Sequence, residues 1–314
     1  MHPYDYPGSE TRFRLRLREA TRRWSHYLVT FPTAHPTRYW ENNTALGEYF
    51  VPSSGERFPL VILLHGLGDH SVLPCRILAR HLARKGIACF VLYLVFHSRR
   101  TPEALKTQPL SLTAGNWLEV FQVSVTDVRQ VIDWAKGREE IDDQQVAVFG
   151  ISLGGFVSAI AMGIDKRIMA GVFMVTGGNL EEITWEGKSH AVRRAHSCTQ
   201  EECHNVYGSY RQYLAEVNQK GFENVTPARE CFLFDPTTFA PYLRGRPVLM
   251  LNARWDNIIP RQSTQSFWEA CGRPRIIWLP ANHITIYLWH PLIRREVTTF
   301  LRSTFRMEER PLHS

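Results

Sequence analysis

Val146-Ala147-Val148-Phe149-Gly150-Ile151-Ser152-Leu153-Gly154-Gly155, continued by the small-residue run from Phe156 to Ile164, reads as strand, abrupt turn and helix. The glycines at 150 and 154 remove side chains that would clash where a strand turns sharply into a helix. Such a turn holds the Ser152 hydroxyl at the carboxyl end of a sheet, near the positive end of the following helix. Gly-x-Ser-x-Gly is weak by itself, because glycine and serine are common residues. A turn serine and a nucleophile read alike at this stage, and the surrounding order of elements has to separate them.

Leu60 to Leu64 is an unbroken apolar run, the mark of a strand buried on both faces of a parallel sheet, and it ends in His65-Gly66-Leu67-Gly68-Asp69. A helix is expected over 74–85 and a second buried strand over 87–95, which leads into His97-Ser98-Arg99-Arg100-Thr101-Pro102. A long helix over about 116–136 precedes the serine turn, and further strands fall at 170–175, 247–252 and 275–279. A strand at 48–52, a helix at about 263–271 and a terminal helix beginning near Ile284 complete the set. Strands alternating with helices predict an α/β fold with a mostly parallel sheet. Ligands of such sheets lie beyond the carboxyl ends of the strands. His65, His97, Ser152 and Gly177 all fall just past strand ends and are expected to converge. Between about 179 and 240 the alternation stops, and this stretch reads as a helical or irregular cover inserted over the sheet.

The first 40 residues read as a separate extension, ahead of one main domain over 41–314. Phe13, Leu17, Ala20, Trp24, Tyr27 and Leu28 can be placed on one stripe of a helix over 11–30, with arginines at 12, 14, 16, 18, 22 and 23 elsewhere. A basic amphipathic helix can lie on an anionic membrane or dock its stripe on protein; docking is the favoured reading. The net charge of +7 is largely this arginine cluster, and no nucleic-acid-binding motif accompanies it, so nucleic acid is not an expected partner. With 44% hydrophobic and 21% charged residues the chain has an ordinary globular composition. No apolar stretch approaches the ~20 residues that span a bilayer, and Met1-His2-Pro3-Tyr4-Asp5 lacks the layout of a secretory leader. The cytoplasm is the expected compartment, and the six scattered cysteines are expected to be reduced thiols. The oligomeric state is left open.

A serine hydroxyl attacks at neutral pH only when a histidine takes its proton and a carboxylate orients that histidine. Asp256, in Trp255-Asp256-Asn257-Ile258-Ile259-Pro260, and His283, in Asn282-His283, both follow strands and lie downstream of Ser152. Asp256 reads either as this acid or as a helix cap, with Asp235 the reserve. The backbone N–H groups of Leu153 and Leu67 are the expected donors to a developing oxyanion. His65 reads as a structural hydrogen-bonder of its loop. His97 and Arg99 either bind an anionic part of a substrate or hold their own loop. Trp255, with Trp185 and Tyr207, is a candidate for an apolar acyl pocket.

Together, Phe149 to Gly155, His65 to Asp69, Trp255 to Pro260 and Asn282-His283 resemble the α/β-hydrolase family, over roughly residues 45–302. His97 to Pro102 and Phe234-Asp235-Pro236 resemble a dienelactone-hydrolase-like branch of it. The resemblance implies a triad of Ser152, Asp256 and His283. Dienelactone hydrolases use cysteine, and haloalkane dehalogenases and epoxide hydrolases use aspartate, where this chain has Ser152. The implied activity is a serine hydrolase acting on a small carboxylic ester or thioester through an acyl-enzyme, without a cofactor. Transfer of the acyl group to another acceptor, cleavage of a peptide, and a non-catalytic binding role are the alternatives. His190, His196, Cys198, Cys203 and His204 invite a metal reading, but Cys-x4-Cys-His matches no common zinc spacing, and no metal is expected.

Overall fold

The continuous apolar runs fold as strands buried on both faces, since a parallel sheet covered by helices leaves neither face to water. A computed structural model describes residues 2–307, except 9–10, 70–71, 104–105, 107–112, 195 and 197. Among these residues nine strands form one sheet: β1 (Arg14–Ala20), β2 (Trp24–Pro32), β3 (Thr44–Pro52), β4 (Phe58–Leu64), β5 (Ala88–Leu92), β6 (Ile141–Ile151), β7 (Ile168–Met174), β8 (Val248–Ala253) and β9 (Arg275–Leu279). Their order is β1-β2-β3-β5-β4-β6-β7-β8-β9. Neighbours from β5 through to β9 run parallel, and β1, β2, β3 and β5 pair antiparallel in that sequence.

The helices are α1 (Leu73–Ala83), α2 (Ala114–Lys136), α3 (Leu153–Ile164), α4 (Leu180–Trp185), α5 (His190–Arg194), α6 (Gln200–Tyr207), α7 (Tyr210–Lys220), α8 (Cys231–Phe234), α9 (Pro236–Phe239), α10 (Arg261–Ala270) and α11 (His290–Thr304). Alternate residues of one strand serve opposite layers: Leu60, Ile62 and Leu64 join a core with residues of α2, α3 and α10. Val61 and Leu63 join a second core with residues of α1 and α11. Cys75, Cys89 and Cys271 are buried, and all six cysteines are unpaired. Among the described residues no helix is long and apolar enough to cross a membrane.

The helix expected over 11–30 does not form; β1 and β2 make an antiparallel hairpin there. Arg14-Leu15-Arg16-Leu17-Arg18 alternates with a period of two, which is the strand signature. A period near 3.6 can also be drawn through the widely spaced apolar residues of this stretch, and that is why a helix could be read there. Phe13 stacks on Phe31 and on Trp134 of α2, with ring centroids 4.1 and 5.3 Å away. The hairpin therefore continues the main sheet, and the helix on which a membrane-surface contact would rest is absent. The stretch at about 179–240 is the set of short helices α4 to α9 between β7 and β8. Asp235, wholly buried, pins it by accepting from the backbone N–H of Asn179, Leu180 and Thr237 and from the Tyr207 hydroxyl.

The sheet carries buried charge. Arg100, 1% exposed, bonds to Asp127 and to the carbonyls of Tyr93 and Asn42 at 2.8 Å each. Glu48 of β3 accepts from Arg76 of α1 at 2.6–3.0 Å and from the Tyr93 hydroxyl at 2.6 Å, with the His26 ring 3.1 Å away. Burial by itself would raise the Glu48 pKa, but these partners outweigh it and bring the group down to about 2. A folded-state pKa below the ordinary carboxylate value adds stability above the unfolded pKa, and that stability is lost as pH falls toward the folded one. Glu48→Gln is expected to cost about 3 kcal/mol at pH 7, with the gap to wild type closing between pH 4.5 and 2 in urea denaturation.

Candidate functional site

The centre of the site is set by crowding where β6 meets α3. A Cβ on Gly150 would lie 2.1 Å from the Gly154 carbonyl oxygen, and a Cβ on Gly154 would lie 2.4 Å from that of Leu64. Only glycine fits at either place. Between them Ser152 takes φ 52°, ψ −116°, a conformation rare for a residue with a side chain. The turn directs the Ser152 side chain out beyond the strand ends.

His283 follows β9, and its Nε2 stands 3.1 Å from Ser152 Oγ. Its Nδ1 faces both carboxylate oxygens of Asp256, at 3.0 and 2.8 Å. The carboxylate accepts only, so the imidazole proton belongs on Nδ1, which leaves the Nε2 lone pair toward the serine hydroxyl. Asp256 and His283 expose 6% and 9% of their side chains, so water competes little with these bonds. Asp256 Oδ1 also accepts from the backbone N–H of Ile258 and Ile259 at 2.8 and 2.9 Å. The helix-cap reading of Asp256 does not hold, since α10 begins at Arg261 behind Pro260; Asp256 braces the preceding turn and faces the His283 ring with the same carboxylate. Asp235, the reserve acid, is spent inside the inserted helices.

Leu153 is the first residue of α3, so its N–H has no acceptor within the helix. Among the described residues neither its N–H nor that of Leu67 has an acceptor. Both residues line the same cavity as Ser152. The Leu67 loop is held by two histidines. His97 Nε2 accepts from the Gly68 N–H at 2.9 Å while Nδ1 donates to the Val95 carbonyl at 2.7 Å. His65 Nε2 accepts from the Leu94 N–H, and Nδ1 donates to the Gly66 carbonyl. The His97 ring, 3% exposed, is therefore turned to the loop, with both nitrogens bonded to backbone. Of the two sequence readings, holding the loop is the one this geometry fits.

Arg99 is exposed and does not line the Ser152 cavity. Neither do Trp255, which is 66% exposed, nor Trp185 and Tyr207. The walls come instead from Trp117 and Phe121 of α2, Phe156 of α3, Ile183 of α4 and Val192 of α5. Sequence reading missed them because apolar residues on a helical stripe look the same whether they face the core or a cavity. His196 is stacked on Trp117 and His204 contacts Glu181. Among the described residues no group of three or more His, Cys, Asp or Glu is arranged to hold a metal.

A family model described as the alpha/beta hydrolase fold matches residues 59–195. An acetyl xylan esterase from Paenibacillus sp. R4 superposes with a TM-score of 0.69 at 17% identity, over 94% of this chain and 89% of that one. Acetyl xylan esterase 1 from Thermoanaerobacterium sp. JW/SL YS485 gives 0.65 at 14% identity, over 95% and 90%.

This is an α/β-hydrolase fold.

A cold-adapted esterase from an Arctic intertidal metagenomic library shares it, with a TM-score of 0.58 at 17% identity, over 94% of this chain and 98% of that one. An uncharacterized protein of Mycobacterium tuberculosis strain H37Rv is 21% identical over 184 residues, 58% of this chain. The chain spans 38% of the length of the curated relatives it matches. These likenesses reach the α/β-hydrolase fold and select no branch within it. Since the fold hangs on the crowded turn, Gly150→Ala is expected to destabilise the protein by about 3 kcal/mol, read as a lower urea midpoint with unchanged slope.

Proposed function

We propose that this chain is a serine hydrolase that cleaves a carboxylic ester or thioester through an acyl-enzyme. One observation carries the reading: Ser152 Oγ is 3.1 Å from His283 Nε2, while Asp256 grips Nδ1 of the same ring. The hydroxyl, the base and the orienting acid form one hydrogen-bonded row, and they follow the chain order Ser, Asp, His of this fold. The esterase names of the similar structures point the same way.

In this mechanism Ser152 Oγ attacks the ester carbonyl carbon as His283 Nε2 takes its proton. The carbonyl oxygen becomes an oxyanion, and the N–H groups of Leu67 and Leu153 donate to it. Donors fixed before charge develops need no reorganisation when it appears. Asp256 stabilises the imidazolium and keeps its proton-bearing Nδ1 turned away from the serine. Collapse breaks the bond to the leaving group, which departs with the proton from His283, and the acyl group stays on Ser152. Water then attacks the acyl-enzyme with His283 again as base, and the acid leaves as the serine hydroxyl is restored.

Ser152→Ala and His283→Ala are expected to lower kcat/KM on p-nitrophenyl butyrate by roughly 10⁴-fold or more, with folding retained. Asp256→Asn is expected to lose a comparable factor, because an amide in that place favours the wrong imidazole tautomer. A fluorophosphonate probe is expected to label wild type at Ser152 and to leave Ser152→Ala unlabelled. Equal labelling of the two proteins would sink the nucleophile assignment.

A further inference from the structure

Ser152 opens onto a narrow apolar cavity of about 70 Å³. Beside it lies a wider one of about 880 Å³, which Ser152 does not line. Trp117, Leu180, Thr184, His196 and Phe234 line both, so the two cavities share a wall. Within that wall the Trp117 and His196 rings stack with centroids 5.5 Å apart and planes 23° from parallel. Trp117 is 6% exposed near the start of α2. His196 is fixed by a 2.9 Å bond between Nδ1 and the Val192 carbonyl, so its proton is on Nδ1. Burial pushes the His196 pKa below the ordinary histidine value, which keeps the ring uncharged and suited to an apolar wall.

We propose that the stacked Trp117–His196 pair closes the acyl site and restricts this enzyme to esters of short acyl groups. The inference rests on the acyl-enzyme reading above, since it takes the cavity at Ser152 as the place of the acyl chain. The cavity at Ser152 is small, about 70 Å³ beside the 880 Å³ of its neighbour, so it suits a short acyl group and a ten-carbon chain outruns it. A longer chain runs into the wall that the two rings help to form. Taking away either ring thins the wall shared with Leu180, Thr184 and Phe234 and gives the chain more room toward the wider cavity.

The test is the series of p-nitrophenyl esters from acetate to decanoate, assayed on the full chain. Wild type is expected to favour acyl groups of up to about six carbons and to turn over decanoate at least tenfold less efficiently than butyrate. Trp117→Ala and His196→Ala are each expected to raise the decanoate-to-butyrate ratio of kcat/KM by about tenfold or more. Val192→Phe, which narrows the chamber, is expected to shift preference toward acetate. If Trp117→Ala fails to fold by circular dichroism, Trp117→Leu and His196→Ala carry the test. Wild-type turnover of decanoate equal to that of butyrate overturns the proposal, as does a ratio within twofold of wild type in the folded variants. Ser152→Ala is assayed beside them. Full activity in that variant would overturn the acyl-enzyme reading itself, whereas its inactivity with unchanged ratios would overturn only the assignment of the wall.

Discussion

The close approach of the first turn of α3 to the ends of β4 and β6 is the constraint on which the rest of the site depends. Gly154 lies so near the Leu64 and His65 carbonyls that no side chain fits between them, and Gly150 is pressed against Gly154 in the same way. This contact fixes three things together. It forces Ser152 into a left-handed turn, it points the free N–H of Leu153 along the start of α3, and it brings the His65–Asp69 loop beside the serine. A looser junction would leave the hydroxyl, the histidine and the oxyanion donors to be ordered separately, each at a cost in conformational entropy.

Around this junction the protein uses buried polar groups to set backbone position. The paired rings of His65 and His97 bond to backbone on each side of the Leu67 loop. Asp256 accepts two turn N–H groups as well as the His283 ring, so one carboxylate shapes the loop and aims the imidazole. Asp235 does similar work for the inserted helices, which line the cavity through Leu180, Ile183 and Val192. These are strongly directional contacts in places where water competes poorly, which is where hydrogen bonds specify geometry best.

The central sheet and the serine turn were legible in the sequence because each element there obeys one local rule. Val61, Ile62 and Leu63 form an unbroken apolar run that suits only a strand covered on both faces, and Gly150 and Gly154 mark a turn that larger residues would block. Ser152, Asp256 and His283 could be picked out because each follows a strand end. The start of the chain misled for the opposite reason: Leu15 and Leu17 alternate with arginines, yet Phe13, Ala20 and Trp24 also fit a helical stripe. Three-dimensional context decided it, since Phe13 needs Phe31 and Trp134 to stack on. The cavity walls were beyond the reach of periodicity. Trp117 and Phe121 carry the pattern of any buried helix face, and only the packing of α4 and α5 turns that face toward Ser152. His97 likewise carried no local sign of which way its ring would turn.

The β1 hairpin has a consequence for how copies of this protein meet. β1 is the outer strand on its side of the sheet, and Arg14, Arg16 and Arg18 are all exposed along it. A second copy adding its own β1 alongside would bring two arginine-rich rows together, with Glu19 the one acid on each strand. The register of β1 on β2 also shifts between Leu17 and Glu19, which bends the row of unpaired backbone groups that a newcomer would have to match. Charge repulsion and mismatch together make this border a poor template, so the sheet has a built-in terminus at its amino end and resists growth into a ribbon shared between molecules.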